Sequence, residues 1–154
     1  MKIKIEVDNS LEEEEIIIKC PRINDKISNI QKKIQDIADH NLNIIFYKDN
    51  KEYYIQIDNV LFFEIEENIC VAHTRDDTFI VKHRLYELES KLGKNFVRIS
   101  KSAVVNVKHI LSLSNSFGSS TLIEFNKSYK KVYVSRSYTK ALKYRLKERK
   151  NYEI

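Results

Sequence analysis

The sequence predicts an α+β protein, predominantly β, and three observations carry that reading. From Ile44 onward, apolar and polar residues alternate in short runs broken by turn residues, the period of half-buried strands. Helical spacing surfaces in only three places, around Ile27 to Ile37, Leu85 to Leu92 and Tyr138 to Leu146. No long apolar run and no low-complexity tract interrupts this pattern, and the 154 residues contain only two glycines and one proline. That length suits one ordinary domain with a small appendage, and it is enough to bury a core without disulfide staples.

In chain order, Lys2 to Val7 alternates as a strand would, Asp8-Asn9-Ser10 is a turn, and four glutamates lead into a second expected strand, Ile16 to Lys19, stopped by Pro21. Asn24 or Asp25 can cap a helix from Lys26 to Asp39, with Ile27, Ile30, Ile34 and Ile37 on one face. Residues 1–44 therefore read as a strand-strand-helix extension, and residues 45–154 as the main domain. Strands are expected at Ile44 to Lys48, Tyr53 to Ile57, Val60 to Glu64, Ile69 to Thr74 and Phe79 to Lys82, with turns at Asp49-Asn50 and Asp76-Asp77. A helix from Leu85 to Leu92 ends at Gly93. Further strands are expected at Ile110 to Leu113, Thr121 to Phe125 and Val132 to Val134, before a last helix that Ser135 would cap and that runs to Lys150.

Composition narrows the function. No apolar stretch approaches the roughly 20 residues of a spanning helix, so no membrane partner is expected. The N-terminus alternates at once instead of forming a signal peptide, so a cytoplasmic location is expected. Cys20 and Cys70 are far apart in apolar contexts and read as buried free thiols, not as a disulfide framework. The histidines, His40, His73, His83 and His109, are dispersed without zinc-ligand spacing; His73 and His83 could face one another across a hairpin, but no metal site is expected. There is no glycine-rich phosphate loop and no nucleophile-base signature, so neither an enzyme, a cofactor nor a small-molecule substrate is expected. The acidic run Glu12 to Glu15 reads as a solvated turn.

Charge is unevenly spread. Residues 1–44 hold seven basic and nine acidic side chains, a net −2, and the rest of the chain is +7. Residues 127–150 alone hold ten basic residues and one acid, Glu148. Such a surface attracts phosphate backbones whatever their sequence.

The most informative stretch is Phe96-Val97-Arg98-Ile99-Ser100-Lys101-Ser102-Ala103-Val104-Val105-Asn106-Val107-Lys108-His109-Ile110, a short polar segment clamped between two apolar ones. It resembles the central phrase of the LytTR-type DNA-binding domain of bacterial response regulators, matching at Phe96, Arg98, Lys101, Ser102, Val104, Val105, Asn106 and Ile110. Ile57-Asp58-Asn59-Val60-Leu61-Phe62-Phe63-Glu64 is similar to the opening of that family, and Val132-Tyr133-Val134-Ser135-Arg136-Ser137-Tyr138 to its close. The resemblance covers about residues 45–150. It implies stacked antiparallel sheets with short helices, and double-stranded DNA as the partner, entered by loops and strand ends rather than by a helix-turn-helix. It implies three contact places: Asn68, Ile69 and Cys70 after the strand ending at Glu64; Lys101 with Ser100 and Ser102; and the start of the last helix, Arg136, Ser137 and Lys140. At Ser137 the family often carries an arginine, so a hydroxyl on phosphate replaces a base-reading cation there.

The residues suit that task. Lys and Arg donate to guanine acceptors, Asn bonds adenine bidentately, and hydroxyls and free amides take phosphate oxygens. Arg98 reads instead as an ion-pair partner within the fold, and Asn106 as a turn residue bonding backbone. The expected function is a sequence-specific, double-stranded DNA-binding transcriptional regulator; the alternative is a small RNA- or ribosome-associated β-rich protein using the same positive face. Because RNA readers expose aromatics on a sheet and the Phe and Tyr here mostly alternate as core positions, duplex DNA is preferred. Residues 1–44 are too few for a receiver domain, so phosphorylation of the chain itself is not the expected control. Their isoleucine stripe is expected to make a homodimer; the competing reading packs it on its own domain.

Overall fold

Asn24 starts the first helix as its side chain predicts: its Oδ1 accepts from the Ile27 amide at 3.0 Å and its carbonyl from the Ser28 amide at 2.9 Å. In this computed structural model, which describes residues 1–12, 14–39, 43–115, 118 and 120–152, helix α1 runs Asp25–Asp39. Ile27, Ile30 and Ile34 are half-buried along one face of it; the side chain of Ile37, and His40, lie outside the described residues. The chain divides into two compact units, residues 1–36 and 37–154.

The two strands expected in the first unit do not form. Residues 2–7 and 16–19 enter no sheet, and Ile3, Ile5 and Val7 are 91%, 86% and 86% exposed. Alternation makes a strand only where a neighbour accepts its hydrogen bonds and covers one face, and neither condition is met here.

Among the described residues of the second unit ten strands form two antiparallel sheets. The strands are β1 Phe46–Lys48, β2 Lys51–Tyr53, β3 Phe62–Glu66, β4 Ile69–His73, β5 Thr78–Val81, β6 Phe96–Ser100, β7 Ala103–Asn106, β8 Ile110–Asn115, β9 Thr121–Phe125 and β10 Lys131–Val134. Helix α2, Leu85–Lys91, lies between β5 and β6, and α3, Thr139–Tyr152, follows β10. One sheet has the order β2-β1-β5-β4-β3-β7-β6, the other β10-β9-β8. Two differences from the alternation are informative. Tyr53 to Ile57 is a strand only to Tyr53, because a 3₁₀ turn, Ile57–Asn59, redirects the chain. The next strand starts at Phe62 rather than Val60, because Asn106 takes the Val60 carbonyl with its side-chain amide, 3.0 Å.

Strands β3 and β7 pair inside the larger sheet, and both of their faces are covered. Phe62, Ala103 and Val105 face one core, completed by Ile123 and Phe125 of β9, Val132 and Val134 of β10 and Leu142 of α3. Phe63 and Val104 face a second core with Leu85 and Leu88 of α2 and Phe46, Phe79 and Val81. That is why β7 reads as a nearly continuous apolar run: a strand buried on both sides has no polar face to alternate with. The Phe62 and Phe125 rings stack at 5.4 Å across the two sheets.

Candidate nucleic-acid interface

The Arg98 side chain builds the turn between β6 and β7. Its Nε donates to the Ser100 carbonyl at 2.6 Å, one terminal nitrogen to the Lys101 carbonyl at 2.5 Å, and the other to Glu89 of α2 at 2.8 Å. A planar guanidinium with donors in a fixed fork suits such bracing. Arg98 therefore belongs to the fold, as its alternation suggests, and Lys101 is left exposed at the tip, its ammonium without an intramolecular partner among the described residues. Ser100 is half-buried and its hydroxyl accepts from the Ser102 amide at 3.1 Å, so it shapes the turn more than it presents a donor. Ser102 is exposed. Asn106, fully buried, bonds the Val60 carbonyl and accepts from the Lys108 amide at 3.1 Å, the backbone role expected of it.

Two backbone bonds draw the other places to this same end of the sheet. The Ile65 amide donates to the Ser102 carbonyl at 2.8 Å, so β3 runs alongside the Lys101 turn and its own hairpin turn, Glu67-Asn68, follows directly. The Ser135 amide donates to the Ile99 carbonyl at 2.9 Å, which pins the chain leading to Arg136 and Ser137 beside β6. Asn68, Ile69, Lys101, Ser102, Arg136, Ser137 and Lys140 are all exposed.

Cys70 is a correction. It is 4% exposed and points into the second core, and burial pushes its thiol up to about 11, so it offers a duplex neither surface nor nucleophile. Within a strand neighbours face opposite ways, so Ile69 and Cys70 cannot share a surface. The start of the last helix also differs from expectation. A 3₁₀ turn, Arg136–Tyr138, precedes α3, and the Ser135 hydroxyl makes no cap bond; its carbonyl accepts instead from Tyr138 at 3.0 Å and from the Thr139 hydroxyl at 3.3 Å. Among the described residues five tyrosines, Tyr54, Tyr86, Tyr129, Tyr133 and Tyr144, are more than half exposed, so alternation places the phenylalanines better than the tyrosines.

His73 and His83 do not face one another. His73 pairs in register with Phe62 and Thr78, stacks on the Phe62 ring at 4.1 Å, and lies 3.1 Å from Glu66 and 3.7 Å from Glu64; His83 lies 3.6 Å from Glu87. Ligand atoms of Glu64, Glu66 and His73 fall within 4.8 Å of one another, a grouping that a separation of nine residues across a hairpin hides in the sequence. The second ring nitrogen of His73 is buried without a partner. Metal-bound histidines almost always donate that nitrogen's proton, so the geometry fits a neutral imidazole donating to Glu66 better than a ligand. Burial, aided by Lys130, holds the His73 pKa below 6.5, and burial together with Glu66 raises that of Glu64.

The described residues thus define a β-rich domain that presents cationic and amide-bearing turns from one sheet end, the build of a nucleic-acid-binding module. The LytTr DNA-binding domain family matches residues 50–147, and the chain belongs to that family. A Staphylococcus aureus (strain bovine RF122 / ET3-1) protein named as an uncharacterized HTH-type transcriptional regulator is 32% identical over 149 residues, covering 95% of this chain and 98% of the relative. A protein of the same description from strain NCTC 8325 / PS 47 is 33% identical over 153 residues, with the same coverage. Among solved structures, the LytTr DNA-binding domain of a methyl-accepting/DNA response regulator from Bacillus cereus superposes with a TM-score of 0.62 at 23% identity, covering 68% of this chain and 97% of that domain. That likeness shows the fold. No described helix is long and apolar enough to cross a membrane.

Proposed function

We propose that this DNA-binding transcriptional regulator reads double-stranded DNA with the sheet end formed by the β3–β4 turn, the β6–β7 turn and the Arg136–Tyr138 turn. The observation that supports this most is the pair of backbone bonds, Ile65 to Ser102 and Ser135 to Ile99, which holds three polar segments from distant parts of the sequence side by side. Lys101 is the base reader, held in place by Arg98. Asn68 can bond adenine from the neighbouring hairpin tip. Ser102, Ser137 and Arg136 take phosphate oxygens, and Lys140 adds a cation beside them. Ile69 lies next to Asn68 as an apolar contact for a thymine methyl. The regulator works in the cytoplasm as a homodimer, joined through the isoleucine face of residues 1–44, so that two such ends meet paired half-sites.

Selection of bound fragments from random duplex DNA, followed by competition with single-stranded RNA, tests this reading. Recovery of one recurring duplex motif that RNA fails to displace is the expected result. Displacement by RNA, or recovery of no motif, would overturn it.

A further inference from the structure

Helix α3 carries the basic surface on beyond the sheet end, from Lys140, which adjoins the turns, to two further lysines. Leu142 is fully buried in the core between the sheets, with Tyr138 and Leu146 packed against the same core. Lys140, Lys143 and Lys147 are exposed, and their spacing of three and then four residues sets them in one row. Arg136, four residues before Lys140 and also exposed, leads the row back to the sheet end.

The row is not neutralised from within. The single acid among the described residues of α3, Glu148, is held by Arg145 at 3.1 Å. Arg149 is committed to the fold, donating to the Val107 carbonyl at 2.5 Å and the Ile110 carbonyl at 3.0 Å. Arg136, Lys140, Lys143 and Lys147 have no such partner among the described residues.

The helix also has a direction. It starts where Ser135 is bonded to Ile99, packs along β6, and reaches the far end of β7, where Arg149 meets the 3₁₀ turn Val107–His109. Lys140 to Lys147 spans about 10 Å at the rise of an α-helix, and a duplex carries one charge per roughly 1.7 Å of its axis. Nothing braces these lysines as Arg98 braces the Lys101 turn. An ammonium on a flexible stem is a point charge, suited to phosphate and poor at choosing a base.

We infer that Lys140, Lys143 and Lys147 form a phosphate rail, taking backbone phosphates that flank the segment read by the turns and adding affinity without discrimination. This rests on the DNA reading above. The test uses the full chain and the variant Lys140→Ala/Lys143→Ala/Lys147→Ala, titrated over a range of salt against the selected duplex and a random one. Alanine is the strongest helix former, so α3 is kept.

The rail requires both duplexes to lose affinity in parallel and the salt slope to flatten by about three, one counterion per lysine. The Lys→Arg version of the same triple should keep the wild-type slope. An unchanged slope overturns the rail, as does loss of the selected duplex alone, since that would make these lysines base readers; in both cases DNA binding itself stands. A wild-type chain with no affinity for any duplex overturns the DNA reading and the rail together.

Discussion

Arg98 and Lys101 sit three residues apart and do opposite things with similar charges. Arg98 spends its donors on two carbonyls and Glu89, while Lys101 faces solvent on the turn that those donors hold. For Lys101→Ala, specific binding should weaken by roughly 1–3 kcal/mol if the ammonium reads a base. If it meets phosphate only, specific and random DNA should weaken together and the salt slope should fall by about one. Equal affinities for wild type and variant on both duplexes would remove Lys101 from the site. His73 gives a prediction of a different kind. Its folded pKa lies below 6.5, so the unfolded chain binds its proton more readily, and stability is lost as pH falls from about 6.5 towards that depressed value. The thermal midpoint should drop on acidification through that window, and His73→Gln should flatten the drop; identical profiles for the two proteins would show that the stacked imidazole is not responsible.

At the scale of the element, the hairpin turns decide what the sheet end can present. Glu67 and Asn68 both have positive φ, 48° and 65°, the pair that a tight primed turn between twisted strands needs. Asn tolerates that region and a β-branched residue does not, so Asn68→Val should cost about 1–2 kcal/mol in urea unfolding. Asn68→Gly should be neutral or stabilising. If valine were as stable as glycine there, the turn would not be held in that conformation. The same reasoning explains α2: it is short, and what fixes it is Leu85 and Leu88 in the second core, with Glu87 accepting from the Arg84 amide at 3.0 Å. Its Glu89 then anchors Arg98, so this short helix helps to set the Lys101 turn.

At the scale of the whole molecule, the two sheets enclose one core and the larger sheet with α2 encloses the other, so the sheet end that carries the three turns is an extension of doubly buried strands. Rigid support of that kind is what exposed contact loops need. Among its described residues the first unit, residues 1–36, forms no sheet, and it keeps Ile16, Ile17 and Ile23 exposed as well as its first alternating run. With the isoleucine face as the dimer contact, sedimentation of the full chain should give twice the monomer mass and residues 45–154 the monomer mass. Equal monomeric masses for both would end the dimer reading.

Residue order alone determined the strand-rich class, an α1 cap at Asn24 or Asp25, the turn at Asp49-Asn50, Arg98 as an ion-pair partner within the fold and the backbone role of Asn106. Each of these follows from contacts within a few residues or from a side chain's own bonding capacity, and such information is local. Tertiary structure decided the rest. It left Lys2 to Val7 without a partner strand, turned Cys70 inward while Ile69 stayed outside, brought Glu64 and Glu66 to His73, and put Asn68, Lys101 and Arg136 on one sheet end through two long-range backbone bonds. Those outcomes depend on which strand lies beside which and in what register, and such pairing leaves no mark in either segment by itself.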